Sequence, residues 1–283
     1  MILKDILVCY TAGSPAMEAL SAGLTLAGAG DGHVTVAAVA ADLSSSVLAT
    51  AGSADASFLL VDAVEKTRKE AEDAATALAE AATVAAQKSG VRFDVRRLVV
   101  GVDVIPDTIA LHARYADLAV IGHAPDRVRA TVPLIEAVVF RSGRPALVVP
   151  EGVMMTAMPR RVLVAWDAGR ESARALNDAL PLLEKAEKIT VLTVGGGGKP
   201  GYGDLPGADI ALHLARHGLE VETVHEKDTA EFPEQVMLRK AREGKYDLVV
   251  MGAWGHSRLR QWILGGVTRA ILQGMTTPVF MAH

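Results

Sequence analysis

A glycine-rich stretch near the C-terminus is the part of the chain best suited to bind a ligand. It follows an apolar run and leads into a helical pattern, and its glycines are Gly252, Gly255, Gly265 and Gly266. A loop between a strand and a helix start presents backbone N–H groups and the positive end of the helix dipole. This order of residues therefore favours recognition of an anion such as phosphate. The N–H groups of Val267 and Thr268 and the Thr268 hydroxyl would be further donors.

An aspartate lies where a second strand of the same half ends. Asp167 directly follows the apolar run 162–166. The carboxyl ends of parallel strands lie at one edge of a sheet, and open α/β sheets bind their ligands there. We expect the Asp167 carboxylate to accept hydrogen bonds from hydroxyl or amino groups, such as those of a ribose or a base. The glycines alone leave a simpler alternative open, in which Gly265 and Gly266 only form a turn and a helix cap.

The elements that must position these residues occur twice along the chain. The strands expected in the first half are 6–10, 34–39, 93–100, 118–121 and 146–149. Their counterparts in the second half are 162–166, 189–194, 219–224, 247–252 and 277–281. Apolar strands that alternate with helices predict a parallel sheet covered on both faces, and the repeated order predicts a duplicated unit. We expect one α/β domain over residues 1–150 and a second over residues 159–283.

Composition excludes several classes of function. The chain has 283 residues, a net charge of -4 and only 4% aromatic residues, so it lacks the basic field and the stacking platforms of nucleic-acid-binding proteins. No apolar run approaches the roughly 20 residues of a membrane span, and the N-terminus does not resemble a signal peptide. With Cys9 as the single cysteine, no intrachain disulfide can form. We expect a cytoplasmic protein without a nucleic-acid or membrane partner.

The glycine stretch and the aspartate resemble the nucleotide-binding signature of the universal stress protein family. The matching residues are Gly252-x2-Gly255-x9-Gly265, a small residue, Val267-Thr268, and the aspartate that closes the first strand of the half. The resemblance covers both halves, so the chain is similar to a tandem universal stress protein. It implies two tandem five-stranded parallel-sheet α/β sandwiches, Rossmann-like and of the adenine nucleotide alpha hydrolase-like type. It also implies a role in the stress response.

The resemblance implies a site for ATP, or a related adenine nucleotide, in the second half, and whether Mg²⁺ accompanies it is left open. In ATP-binding members of the family, the loop and the helix start hold the phosphates, and the aspartate region holds adenine and ribose. The residues that would line the site here are Ala165, Asp167, Val194, Met251, Gly252, Gly255, Gly265, Gly266, Val267 and Thr268. The family usually has serine or threonine where this chain has Gly266. A neutral hydrogen bond contributes roughly 0.5–1.5 kcal/mol, so we expect binding about tenfold weaker rather than abolished.

The first half departs further from the same signature. Thr11 replaces the aspartate, Pro125 replaces the second glycine, and 132–133 is Val-Pro in place of Gly-Gly. We expect this half not to bind a nucleotide in this way, and instead to pair with the second half and cover its sheet edge. This difference between the halves also predicts that Gly252→Val abolishes binding, whereas a change at the retained Gly122 leaves binding intact.

Other functions remain open at this point. A partner-binding scaffold that has lost nucleotide is favoured by Gly266, and an ATP-using enzyme is the third possibility. Hydrolysis is expected to be slow at most, because the sequence shows no general base, no metal cluster and no activated nucleophile. We therefore assign no catalytic and no metal-binding residues. A homodimer or another protein partner stays open.

Two further sequence patterns are better explained as structural features than as a dinucleotide site or a metal site. Gly196-x-Gly198-x-x-Gly201 matches a dinucleotide fingerprint, but Pro200 and Pro206 prevent a helix from opening directly at the loop. We expect a flexible loop beside the site instead. His213 and His217 have the i, i+4 spacing of a metal pair, yet no third ligand is evident, which favours an exposed helix face.

Overall fold

A computed structural model describes residues 3–50, 57–195, 207–227, 229–253 and 266–283. The strands of the first half are β1 (Asp5–Thr11), β2 (His33–Asp42), β3 (Arg92–Gly101), β4 (Leu118–His123) and β5 (Ala146–Pro150). Those of the second half are β6 (Arg161–Ala165), β7 (Lys188–Val194), β8 (Val221–Glu226), β9 (Leu248–Gly252) and β10 (Val279–Ala282). All ten strands expected from the apolar runs are confirmed, with ends that differ by at most three residues.

Helices connect the strands in both halves. In the first half they are α1 (Ala16–Ala29), α2 (Ser44–Thr50), α3 (Ser57–Gln87), α4 (Ile105–Ala113) and α5 (Val128–Ala137). In the second half they are α6 (Arg170–Leu183), α7 (Ala208–Arg216), α8 (Pro233–Glu243) and α9 (Gly266–Gly274). Short 3-10 turns at Val102–Val104 and Pro125–Arg127 precede α4 and α5. Among the described residues, no helix is both long and apolar enough to cross a membrane.

The ten strands form one continuous sheet in the order β3-β2-β1-β4-β5-β10-β9-β6-β7-β8. Within each half all strands are parallel, and the strand order reverses between the first and fourth strands of the half. This reversal lies between β1 and β4 and again between β6 and β9. Such reversals open a crevice at the carboxyl ends of the strands, where α/β proteins bind their ligands.

The two halves meet at a central seam, the antiparallel pair of β5 and β10. Phe280 lies opposite Leu147, and Val279 lies opposite Val148. The edge strand of each half is thereby paired, which removes the unpaired N–H and C=O groups that an open edge would expose. The expectation that the first half covers the sheet edge of the second is confirmed. The connection between them, residues 151–160, contains no helix or strand, and its Met155 carbonyl accepts hydrogen bonds from Ser21 and Thr25 on α1.

Apolar side chains cover both faces of the sheet, as the continuous apolar strands predict. On one face, the buried cluster joins the strands to α1, α3, α6 and α7, and we call this the α6 face. On the other face, the cluster joins the strands to α4, α5, α8 and α9, and we call this the α9 face. Both clusters contain residues of both halves, so the halves share one core rather than two separate ones.

The long helix α3 packs through alanines, which explains its composition. Four of them are buried, the last two in the cluster of the α6 face, and small side chains let the helix backbone approach its neighbours closely. These are Ala71, Ala75, Ala82 and Ala86. The helix ends at Gln87, and the chain turns away at Gly90, whose φ of 71° lies in the left-handed region that glycine adopts without strain.

Cys9 is expected to react with thiol reagents only when the protein unfolds. It lies in β1 with its side chain buried, and burial raises the pKa of the Cys9 thiol to about 12. The thiolate is the reactive form, so both burial and the raised pKa suppress labelling. The rate of reaction with an aromatic disulfide reagent, followed with and without denaturant, measures this. Rapid labelling of the native protein at pH 8 would contradict the packing role assigned to Cys9.

Candidate functional site

The residues expected to form the site come together at the crevice between β6 and β9. Val164 lies beside Val250 in the parallel pair, so one step further along the strands Ala165 lies level with Met251. Asp167 and Gly252 follow at the carboxyl edge. β7 is the other neighbour of β6, and it ends at Val194 on this same edge. The expected placement of the aspartate and Gly252 at one sheet edge is confirmed.

Four of the apolar residues also lie on the same face. Their side chains belong to or pack against the cluster of the α9 face, and they are Ala165, Val194, Met251 and Val267. Trp166 packs against the opposite cluster, on the α6 face. Its position supports a core role and argues against stacking on a ligand base. The crevice therefore has an apolar strip beside α9, and Trp166 is no part of it.

Asp167 shapes the turn that leads into α6. Its Oδ1 accepts a hydrogen bond of 2.9 Å from the N–H of Gly169, and Ala168 between them has a φ of 50°. A short polar side chain that closes a turn in this way fixes the entry of the chain into the helix. The half-buried carboxylate thus has a structural role, in addition to the role in binding that the sequence predicts.

Glu171, in the first turn of α6, is a residue of the crevice that sequence reasoning missed. It is only 6% exposed and pairs with Arg170, whose Nε lies 2.5 Å from Oε1. Burial acts to raise the pKa of this carboxyl, but hydrogen bonds from Arg170 and the backbone outweigh it and lower the pKa. An acidic residue two positions after Asp-x-Gly was the available signal, because acids are favoured at helix N-termini. With Asp167 and Glu171 there, the start of α6 is already occupied by negative charge.

The start of α9 has the opposite character. Its first turn holds no acidic residue, Gly266 is its exposed first residue, and Arg269 is exposed one turn into the helix. Within the part of the chain that the structure describes, this helix start carries no acidic residue of its own, which suits an anion. Thr268 is only 2% exposed, so backbone N–H groups are the more accessible donors here. Gly255 and Gly265 lie outside the described residues.

Gly252 has a packing role that its first-half counterpart shares. A Cβ at Gly252 would lie 2.5 Å from the backbone N of Ser172 in α6, and one at Gly122 would lie 2.2 Å from the carbonyl O of Pro15 before α1. Both glycines let the helix after the first strand pack tightly on the fourth strand. Comparing valine at Gly252 with a change at Gly122 therefore does not test binding, because a larger side chain at either position disturbs the fold.

The crevice of the first half is nearly closed. Its helix α5 begins at Val128, five residues before Pro133, which is the residue that aligns with Gly266. The Arg127 guanidinium also lies over the loop, so near that a Cβ at Gly13 would be 2.5 Å from its Nη1. A cleft of about 70 Å³ remains. Small-molecule sites usually have about 300 Å³ or more, which supports the prediction that this half takes no nucleotide.

The two patterns set aside in the sequence differ in what the structure shows. The glycine pattern at 196–201 lies outside the described residues. His213 is on α7 and His217 directly follows its last residue, and their rings contact each other edge to face with centroids 4.8 Å apart. Over the described ranges, no group of three or more His, Cys, Asp or Glu residues is arranged to hold a metal ion.

Comparisons with known proteins agree with this architecture. Residues 158–283 match the family model described as the universal stress protein family. A universal stress protein from Archaeoglobus fulgidus DSM 4304 is similar in structure, with a TM-score of 0.67 and 17% identity, over 98% of this chain and 97% of that one. A putative universal stress protein from Pseudomonas aeruginosa UCBPP-PA14 has a TM-score of 0.59 and 15% identity, over 99% and 93%. No curated protein is significantly similar in sequence. At these identities, the likeness to solved structures shows a shared fold.

Proposed function

We propose that the second half of the chain binds an adenine nucleotide such as ATP, because residues 158–283 match the universal stress protein family and the whole chain shares the fold of a universal stress protein. The observation that carries the proposal is the meeting of three features at one crevice. These are the Asp167 carboxylate, the apolar strip on the α9 face, and the acid-free start of α9. A nucleotide has a complementary group for each of them.

Charge divides the crevice into two ends and gives the nucleotide a direction. Asp167 places a negative charge at the α6 end, where Glu171 is already paired with Arg170, and this end suits hydroxyl and amino donors rather than phosphates. The first turn of α9, with Gly266 and Arg269, suits the phosphates. The apolar strip, which includes Ala165 and Val194, would contact the base. In this arrangement the first half contributes support, and a stress-response role follows from family membership.

Titration calorimetry with ATP–Mg²⁺ tests the proposal directly. We expect one site per chain, a rise in melting temperature with ATP concentration as mass action requires, and adenine nucleotide among the molecules retained through mild purification. Phosphate release, measured in parallel, separates binding from hydrolysis. If millimolar ATP produces neither heat nor stabilisation, the proposal fails, and the partner-binding scaffold becomes the better explanation.

Replacing Asp167 by asparagine is expected to weaken ATP binding by about tenfold or more, because a hydrogen bond to a charged group contributes about 1.5–3 kcal/mol. The asparagine Oδ1 can still accept the hydrogen bond from the Gly169 N–H, so the turn and the free energy of unfolding should change little. Asp178→Asn is the matched control, since Asp178 lies further along α6 and pairs with Arg174. Equal affinities of the two variants would contradict the placement of the site.

A further inference from the structure

A buried histidine of the first half holds the helix that begins at the candidate site of the second half. His123 is the last residue of β4 and is 0% exposed. Its Nε2 lies 2.8 Å from the carbonyl O of Leu272, which is 149 residues further along the chain. Leu272 is in the last turn of α9, where the final four carbonyls have no partner within the helix. His123 therefore caps the C-terminus of α9 from the other half.

The hydrogen bond fixes the proton on one ring nitrogen. A carbonyl only accepts, so Nε2 carries the hydrogen and Nδ1 is left as an acceptor. Nδ1 is buried and has no hydrogen-bond partner among the described residues. A second proton, on Nδ1, would be a buried donor without an acceptor, which is costly in an apolar environment.

The surroundings of His123 contain little charge. The charged side chain that acts on it is Asp126, in the turn after β4, while α9 presents the Leu272 carbonyl. The backbone after β5 contacts it through the N–H of Glu151, which donates to the His123 carbonyl. Burial lowers the pKa of His123, and this outweighs the opposing effects of the Leu272 hydrogen bond and of Asp126. The ring is neutral at pH 7.

The two ends of α9 are mechanically linked. A helix of nine residues is about 13 Å long and behaves as one rigid unit, so fixing its C-terminal turn also orients its first turn. That first turn starts with Gly266, the residue proposed to face phosphate. Ile271 and Leu272 are buried in the α9 face, which holds the helix against the sheet, and the contact with His123 adds a directional constraint at its C-terminal end.

We propose that His123 is a positioning residue for the nucleotide site, that it orients α9 across the boundary between the halves, and that acid loosens this contact and weakens nucleotide binding. The proposal rests on the proposed function. It assigns the first half a specific task, which is to orient α9, the helix of the second half that is proposed to bind phosphate. The arrangement in which His123 contacts Leu272 disfavours a second proton on the ring. Acid therefore shifts the equilibrium toward an arrangement in which the ring is released.

Two variants separate the hydrogen bond from the titration. In His123→Gln the amide nitrogen occupies a position similar to Nε2 and can donate to Leu272, but it does not titrate. His123→Phe keeps a ring of similar size and leaves the Leu272 carbonyl without its donor. At pH 7.5, calorimetry with ATP–Mg²⁺ should show wild-type affinity for the glutamine variant and a loss of about tenfold for the phenylalanine variant.

Acid should separate wild type from the glutamine variant. Below the free-histidine pKa of about 6.5, wild-type affinity should fall by up to about tenfold per pH unit, until the lowered pKa of the buried ring is reached. ATP also gains a proton in this range and affects both proteins alike. The decisive quantity is therefore the ratio of wild-type affinity to glutamine-variant affinity, compared at pH 7.5 and pH 5.5. A constant ratio overturns the proposal. This comparison also decides the matter if the phenylalanine variant does not fold.

Hydrogen exchange gives a readout that does not need a nucleotide. In the phenylalanine variant, the amides of α9 should exchange faster than in wild type at pH 7.5, while those of β4 keep their protection. If wild type binds ATP and the phenylalanine variant matches it in affinity and in α9 exchange, this proposal alone fails. If wild type binds no ATP, the proposed function fails first, and the role of His123 at a nucleotide site fails with it.

Discussion

Serine at position 266 should tighten ATP binding by up to about tenfold, and aspartate at the same position should weaken it by at least as much. Gly266 is the exposed first residue of α9, and no described heavy atom lies within 4 Å of a Cβ built there, so both side chains fit. Serine restores the hydroxyl donor that the family usually has at this position. One such hydrogen bond contributes roughly 0.5–1.5 kcal/mol, which corresponds to a factor of up to about ten.

The aspartate variant tests where the phosphates lie, because it changes stability and affinity in opposite directions. An acidic side chain at a helix N-terminus stabilises the helix by about 0.3–1 kcal/mol, so the melting temperature should rise slightly. Two like charges about 4 Å apart repel by about 4 kcal/mol at an effective dielectric constant of 20, and salt reduces this at an exposed position. Calorimetry and thermal melting measure the two effects. Unchanged ATP affinity in Gly266→Asp would place the phosphates away from α9.

Truncation of Phe280 to alanine is expected to destabilise both halves together by about 3–5 kcal/mol, as for other fully buried phenylalanines. Phe280 is 0% exposed and lies on the central seam opposite Leu147, in a buried cluster that contains residues of both halves. The melting temperature should fall by about 10 °C. Because the seam is shared, we expect one unfolding transition at a lower denaturant concentration rather than two separate transitions.

Phe232→Ala is the matched control for this truncation. Phe232 precedes α8 and its side chain is 66% exposed, so removing it should change the free energy of unfolding by less than about 0.5 kcal/mol. If Phe280→Ala instead produced two transitions, with the first half unfolding at its wild-type midpoint, the halves would be independent units. The continuous sheet would then carry no coupling between them.

The sequence was sufficient to predict the elements and their duplication, because each buried parallel strand is a continuous apolar run. It also located the crevice, since Asp167 and Gly252 both follow such runs. It was not sufficient to predict which strands join the halves. Ala146–Pro150 and Val279–Ala282 have no local feature that distinguishes a strand paired at a seam from any other buried strand. The fold is accordingly one ten-stranded sheet built from the two expected units.

Glycine spacing predicted the position of Gly252 but not the reason for it. A glycine at the end of a strand can allow a ligand to approach or allow a helix to pack. Both requirements select glycine, so the sequence does not distinguish them. The contact with Ser172 shows that helix packing already requires it. Glu171 and His123 were missed for a related reason. Acidic and histidine side chains are usually exposed, and their burial depends on neighbours far away in the chain.

The position of β10 in the middle of the sheet has a consequence for synthesis on the ribosome. The first half is complete once β5 (Ala146–Pro150) has emerged, but its partner at the seam, Val279–Ala282, is translated some 130 residues later. At about 5–20 residues per second, the nascent chain carries an open apolar strand for roughly 6–26 s. During this time two nascent chains on one messenger can pair through β5. A slow translation of the second half would therefore favour a misassembled dimer over the native fold.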